Sequence, residues 1–199
     1  MFDFLQKPDL PDGFDYIMPV ISVDKAWSLY EHLRDQLSWT QPQIKVYGKW
    51  HAIPRLQCYI ADSGLNYQYS ELNLMPEPWL APLSAMRARL ETQFGRSFNA
   101  LLLNYYRNGF DTMGWHADDE PELGESPTII SVSLGAARKF SIKHRRTKEV
   151  WNVMLEHGSA LIMSGTSQRD YVHCLPKQSK VADGRINLTF RCIAHPPSV

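Results

Sequence analysis

Residues 185–191 read Arg185-Ile186-Asn187-Leu188-Thr189-Phe190-Arg191. Side chains on an extended chain alternate between two faces, so this β-branched and aromatic run sets Ile186, Leu188 and Phe190 against Arg185, Asn187, Thr189 and Arg191. The first face is core. The second carries two guanidinium groups, which are costly to turn inward unless an anion answers them, and whose planar forks suit carboxylates. A dicarboxylate would satisfy both, whereas a solvated sheet face would need no ligand. The same habit recurs in 101–106, where Asn104 and Tyr106 project together from an otherwise apolar segment.

Around these two strands the text is strand-rich. Short apolar or alternating runs at about 98–106, 128–134, 138–144, 150–155, 158–163 and 185–193 are separated by Gly, Pro, Asp and basic turn residues. Upstream, Val23, Ala26, Trp27, Tyr30, Leu33 and Leu37 recur at helical spacing with Asp24 in the first turn, predicting a helix over about 23–37. Leu80, Leu83, Met86, Leu90 and Phe94 follow Pro78 and Pro82 and stop at Gly95, predicting a second over about 80–94. Helices followed by strands indicate an α+β protein whose helices brace one face of a β-sandwich or jelly roll. One domain is expected over 1–199, with an N-terminal extension and the bracing helices in 1–95 and the jelly-roll core in 96–199. Phe2, Phe4, Leu5 and Phe14 suggest an N-terminal strap packed on the domain.

Composition narrows the class. With 199 residues, 44% of them hydrophobic, the chain can bury a core without metal or disulfide staples. Cys58, Cys174 and Cys192 are odd in number and lack a Cys-x-x-Cys spacing, which speaks against a disulfide framework or a zinc ribbon and for a reducing compartment. No window approaches about 18 apolar residues, and Asp3 and Asp9 occupy the region where a secretory signal needs basic then apolar character. The expected setting is the cytoplasm of a bacterium or the nucleus of a eukaryote, without membrane contact, and as a monomer. The 21 basic and 21 acidic residues balance, so binding to a polyanion must rest on local patches.

The chemistry concentrates in Gly114-Trp115-His116-Ala117-Asp118 and, much later, Tyr171-Val172-His173. On extended chain a His-x-Asp pair presents both side chains to one ion, and a distant strand can supply the third ligand. Two imidazoles and one carboxylate on a face leave open positions, the arrangement of non-haem Fe(II) oxygenases. Zinc hydrolysis would accept the same ligands but leaves the arginine pair unexplained. A non-catalytic jelly roll with a structural metal is the alternative from another class.

The order Asn104-x-Tyr106, then Trp115-His116-x-Asp118-Asp119-Glu120, then His173 and Arg185-x-Asn187-x-Thr189-Phe190-Arg191 resembles the AlkB family of Fe(II)/2-oxoglutarate-dependent nucleic-acid demethylases, over roughly 43–193. The resemblance implies a double-stranded β-helix, with Fe(II) on His116, Asp118 and His173. It further implies 2-oxoglutarate on Asn104, Tyr106, Arg185, Asn187 and Arg191, the last counted with the catalytic set, and dioxygen as second co-substrate. The activity implied is oxidative dealkylation of bases such as 1-methyladenine and 3-methylcytosine in single- or double-stranded DNA, releasing formaldehyde and succinate. RNA or a non-nucleic-acid substrate is the alternative within the same chemistry.

Segments 43–55 and 65–70 resemble the substrate-recognition lid of the duplex-acting members. Tyr47, between Val46 and Gly48, takes the place of the apolar wedge that fills the gap left by a flipped base. Tyr69 matches the aromatic that sandwiches that base against His116, and Tyr67 a neighbour lining the pocket. Lys45, Lys49 and Arg55 flank the wedge and are expected on phosphates, while Trp50 is expected to pack into the core. Glu120, two residues beyond Asp118, should point toward substrate, with Asp119 facing away or bracing the metal loop. Lys143–Lys148 reads as a basic hairpin tip. The segment after His173, Lys177-Gln178-Ser179-Lys180, carries thinner charge than the compact basic cluster of a duplex-acting relative.

Overall fold

The computed structural model describes residues 8–46, 48–65, 67–69 and 72–194. In chain order the elements are β1 (Phe14–Ile17), α1 (Val23–Gln36), β2 (Gln43–Val46), β3 (Lys49–Ala52), β4 (Leu56–Ala61), β5 (Tyr67–Tyr69), β6 (Leu72–Leu74), α2 (Ala81–Phe94), β7 (Ala100–Tyr106) and β8 (Met113–His116). After a 3-10 turn at Pro121–Leu123 come β9 (Ile129–Gly135), β10 (Arg138–His144), β11 (Val150–Leu155), β12 (Ser159–Met163), α3 (Ser167–Asp170), β13 (Tyr171–Leu175) and β14 (Arg185–Arg191). A major sheet in the order β1-β12-β9-β14-β7-β4 faces a minor sheet in the order β11-β10-β13-β8, and β2-β3 and β5-β6 form separate ribbons. This is the jelly-roll sandwich expected from the strand pattern.

The alternation within residues 185–191 decides how the layers stack. Ile186, Leu188 and Phe190 turn outward from the major sheet and join Leu101, Leu103, Ile130, Val132 and Leu134 under Ala26, Leu29 and Leu33 of α1 and Leu83 and Leu90 of α2. Both helices therefore cover one face, as their apolar spacing requires, and their ends fall within a residue or so of the positions read from sequence. The other face of β14 looks between the sheets. There the antiparallel register places Asn187 opposite Asn104 of β7 and Ser133 of β9, so three polar side chains lie abreast. An apolar cluster that includes Phe14, Leu102, Ile129, Ile142, Leu161 and Tyr171 shares this interlayer space.

Several expectations need correction. The division at residue 95 does not follow the sheet, because β1 and β4, from the first half, are strands of the major layer. Phe14 does pack, edge-on to Tyr171 at 5.4 Å between the sheets, while Phe2, Phe4 and Leu5 lie outside the described residues. Trp50 does not enter the core; it is 62% exposed on β3, whose four residues are all exposed. No described helix is long and apolar enough to cross a membrane.

At the far end of the sandwich, the loop after β7 and the loop before β14 are pressed together. Gly109 donates to Val181 and accepts from Gln178 through the backbone, and a Cβ at Gly109 would collide with the Gln178 carbonyl. The fully buried Arg138 stitches the junction, donating to the carbonyls of Asn108, Asp111 and Pro176 at 2.9–3.0 Å and to Gln178 Oε1. Phe190 is the aromatic keystone of the helix-covered face, packed on Phe98 and Trp79. Phe190→Ala should lower unfolding free energy by about 3–5 kcal/mol, the usual cost of emptying a large core site, read as a reduced urea midpoint with unchanged slope.

Candidate metal and co-substrate site

β8 and β13 pair so that His116 and His173 lie directly opposite each other, their rings 4.3 Å apart. The β8–β13 register shifts between this pair and the Met113–Leu175 pair, and Asp118 follows just past the end of β8. One ligand atom from each of His116, Asp118 and His173 lies within 4.8 Å of the others. His116 Nδ1 is 2.9 Å from the Gly114 carbonyl. That contact selects the tautomer with Nδ1 protonated and leaves Nε2, 3.9 Å from Asp118 Oδ1, with its lone pair available.

His173 is 2% exposed, is stacked on Phe140, and has a buried Nδ1 without a hydrogen-bond partner. Burial, helped by its neighbour His116, pulls its pKa down to about 3, so the ring is neutral, as a metal ligand must be. Burial alone would raise the Asp118 carboxyl, but Arg191 and the two histidines together hold it below the usual carboxylate range. An ionised carboxylate, a neutral His173 ring with an unsatisfied buried nitrogen and the Nε2 of His116 suit a divalent first-row cation.

The candidate co-substrate residues line the adjoining space. Asn104 and Tyr106 of β7 and Arg185, Asn187 and Arg191 of β14 face the same cavity as the three metal-binding candidates, with Leu102, Met113 and Phe140 as apolar walls. Arg185 is 2% exposed and burial lowers its pKa to about 10, still fully cationic near neutrality. It donates to Ser133 Oγ and Asn187 Oδ1, its guanidinium lies 5.5 Å from the Tyr106 ring, and its buried Nε has no partner. A buried cation answered by neutral groups alone is the setting in which an incoming carboxylate is held strongly. Arg191 pairs with Asp118 at 2.8 Å, both side chains 4% exposed.

The remaining predicted residues are placed differently. Lys45 and Lys49 are exposed on the β2-β3 ribbon, and Gly48 occupies its turn with φ +80°. Val46, Tyr67 and Tyr69 are placed by backbone on β2 and β5, and Tyr47 lies outside the described residues. Glu120 is half-buried at the start of the 3-10 turn and is not among the residues lining the cavity. Arg55 is corrected: it is 4% exposed and faces inward, its Nε 2.8 Å from Asn104 Oδ1. With no open surface it cannot serve a phosphate. Gln57 donates to the same oxygen at 3.0 Å. Two donors on Oδ1 orient the Asn104 amide so that its own N–H groups are left for the cavity.

Two further positions had no sequence signal. Gln168, in the polar run Ser167–Asp170, accepts from the Asp118 backbone N–H at 2.9 Å. Ser131 Oγ donates to Asn187 Oδ1 at 2.7 Å. A wider apolar groove between α1 and α2, floored by Leu29, Leu90 and Val132, opens on the opposite face of the major sheet.

Residues 13–191 match the model of the 2OG-Fe(II) oxygenase superfamily. The chain is 39% identical over 197 residues to a Mus musculus protein named DNA oxidative demethylase ALKBH2, covering 95% of this chain and 82% of that one. This chain belongs to the AlkB family of that superfamily. An Arabidopsis thaliana protein of the same name is 35% identical, covering 93% of this chain and 68% of its own. A Homo sapiens alkB homolog 3, named an alpha-ketoglutarate-dependent dioxygenase, is 34% identical, covering 92% and 63%. The solved structure of OsALKBH1 superposes with a TM-score of 0.67 at 18% identity, over 92% of this chain and all of that one, which establishes the shared fold. As a 2OG-Fe(II) oxygenase of the AlkB family, the protein uses Fe(II), 2-oxoglutarate and dioxygen, and the donors described above fit them. Arg55→Met should release the Asn104 amide and raise the KM for 2-oxoglutarate about tenfold, the cost of one charge-assisted hydrogen bond, with Mn(II) affinity unchanged by titration.

Proposed function

We propose that this protein is a DNA oxidative demethylase that repairs N-alkylated bases, with 1-methyladenine and 3-methylcytosine as the substrate class. The observation that carries the reading is the His116–Asp118–His173 cluster, its Asp118 and His173 buried, sharing one cavity with Arg185 and Asn104, in a chain similar along most of its length to proteins named for this activity.

The division of labour follows from the residues. Arg185, Asn104 and Tyr106 bind and orient a diacid, while Leu102, Met113 and Phe140 keep bulk water from the reacting atoms. Iron held by His116, Asp118 and His173 would, with 2-oxoglutarate and dioxygen, supply oxidation of the N-alkyl carbon, whose hydroxylated group would leave as formaldehyde beside succinate and carbon dioxide. The alkyl carbon lies on the Watson–Crick edge, so the base must leave its stack to be reached.

The β2-β3 ribbon, with Lys45, Lys49 and the solvent-facing Trp50, is the element we assign to the surrounding strand. Its base is rooted beside the site: Gln41 donates to the Ile53 carbonyl and Thr112, just before β8, donates to the Pro54 carbonyl. Tyr47, between Val46 and Gly48 in the sequence, is the proposed wedge. An N-alkylated adenine or cytosine is cationic at neutral pH, and Glu120 is the carboxylate assigned to favour it over the neutral, undamaged base.

The test adds Fe(II) and 2-oxoglutarate without oxygen, admits air in the presence of methylated oligonucleotides, and follows formaldehyde and succinate. Release of both in equal amounts, dependent on the methyl group, is expected; succinate release indifferent to it would point to another substrate. Tyr47→Ala should reduce turnover on duplex about tenfold or more, since unstacking costs a few kcal/mol, and leave single-strand turnover nearly intact. Equal losses on both would count against the wedge.

A further inference from the structure

The metal-binding candidates come from two separate pieces of chain. His116 and Asp118 lie at and beyond the end of β8, and His173 lies on β13. The pairing of β8 with β13 joins Met113 to Leu175 and His116 to His173, with a register shift between the two pairs, and β8 ends at His116. Residues 117–120 then run as irregular chain, so the β-ladder does not fix the height of Asp118. Side chains must.

One comes from α3, which leads directly into β13. Gln168 is 2% exposed, and its Oε1 accepts from the Asp118 backbone N–H at 2.9 Å, across 50 residues of sequence. Its other end is held as well: Nε2 faces Met163 Sδ at 3.6 Å and Ser167 Oγ at 3.2 Å. A flipped amide would set N–H against N–H at Asp118, so these contacts fix the orientation. The second tie is Arg145, from the hairpin after β10. Its Nη2 bridges Asp119 Oδ2 at 2.9 Å and the Gln168 carbonyl at 3.3 Å, and its Nε reaches the Tyr171 carbonyl at 3.3 Å. Asp119, the neighbour of the ligand, is thereby strapped to the same α3–β13 segment.

We propose that Gln168, supported by Arg145, is the positioning residue that locks the His116–Asp118 piece to the His173 piece at metal-binding separation, and so sets the affinity for the ion. A ligand set preorganised by its supports binds tightly; one whose carboxylate wanders must be ordered at the expense of binding. The inference rests on the metal centre of the family and is independent of which substrate the enzyme oxidises.

The experiment is a Mn(II) titration of the full chain, followed by loss of the free-ion electron paramagnetic resonance signal, together with thermal melting of the metal-free protein. The parent should bind one Mn(II); failure to do so would overturn the metal centre itself. Gln168→Met, matched in length but unable to accept from Asp118, should bind about ten- to a hundredfold more weakly, the usual loss when a support of a metal ligand is removed. Gln168→Glu restores an acceptor oxygen at the same reach and should bind more tightly than Gln168→Met; the reverse order would overturn the proposal. Affinity of Gln168→Met within about twofold of the parent would also overturn it, as would a melting loss large enough to account for the weakened binding. Should Gln168→Met fail to fold, Arg145→Ala carries the test from a side chain that is 44% exposed. Weaker Mn(II) binding with unchanged melting supports the clasp, and unchanged binding refutes it.

Discussion

Between the two sheets a carboxylate and a guanidinium meet at 2.8 Å with almost no access to water, and much of the surrounding architecture makes that meeting tolerable. Asp118 belongs to the minor-sheet side and Arg191 to the major sheet, so the pair also ties the layers together. Removing one partner of such a pair typically costs about 3–5 kcal/mol, because the other is left charged and buried. The histidines beside Asp118 turn this liability to use. A divalent ion on His116, Asp118 and His173 offers the carboxylate a second cation, and an incoming organic acid is the natural answer to a guanidinium whose anion is then shared.

β14 shows why this much could be read from sequence. In a strand with one dry apolar face, alternation fixes which side chains go together, and Arg185, Asn187, Thr189 and Arg191 all line the cavity as their spacing requires. His-x-Asp and the distant His173 were legible for a simpler reason: few residue types bind metals, although only His116 and His173 of the three lie on strands. The amphipathic helices were equally plain. β1 and β4 were not, because Phe14–Ile17 is a run of only four residues, and the polar and aromatic residues of Leu56–Ala61 mask a strand buried on both faces.

Arg55 marks the limit of such reading. A basic residue in a basic, aromatic stretch near an assigned wedge suggests a phosphate contact, and composition alone carries no hint that the chain turns inward there to meet Asn104. Trp50 is the mirror case, an indole whose type suggests core and whose two-stranded ribbon has no second layer to bury it. Gln168 is harder still. Its importance comes from a hydrogen bond to a backbone amide 50 residues away, and a backbone acceptor has no residue-type signature. Buried Arg138 belongs with these: it stitches carbonyls from two loops, a task that leaves no pattern in the sequence.

The strand formed by Phe14–Ile17 closes one margin of the major sheet by pairing along all four of its residues with Ala160–Met163. A version trimmed to the second half of the chain would bare the hydrogen-bonding groups of Ala160–Met163, inviting strand exchange between copies or aggregation. The amino-terminal segment therefore guards solubility as well as completing the fold, and a fusion partner or affinity tag is better tolerated when a flexible spacer precedes Pro8 than when it replaces the residues leading into Phe14.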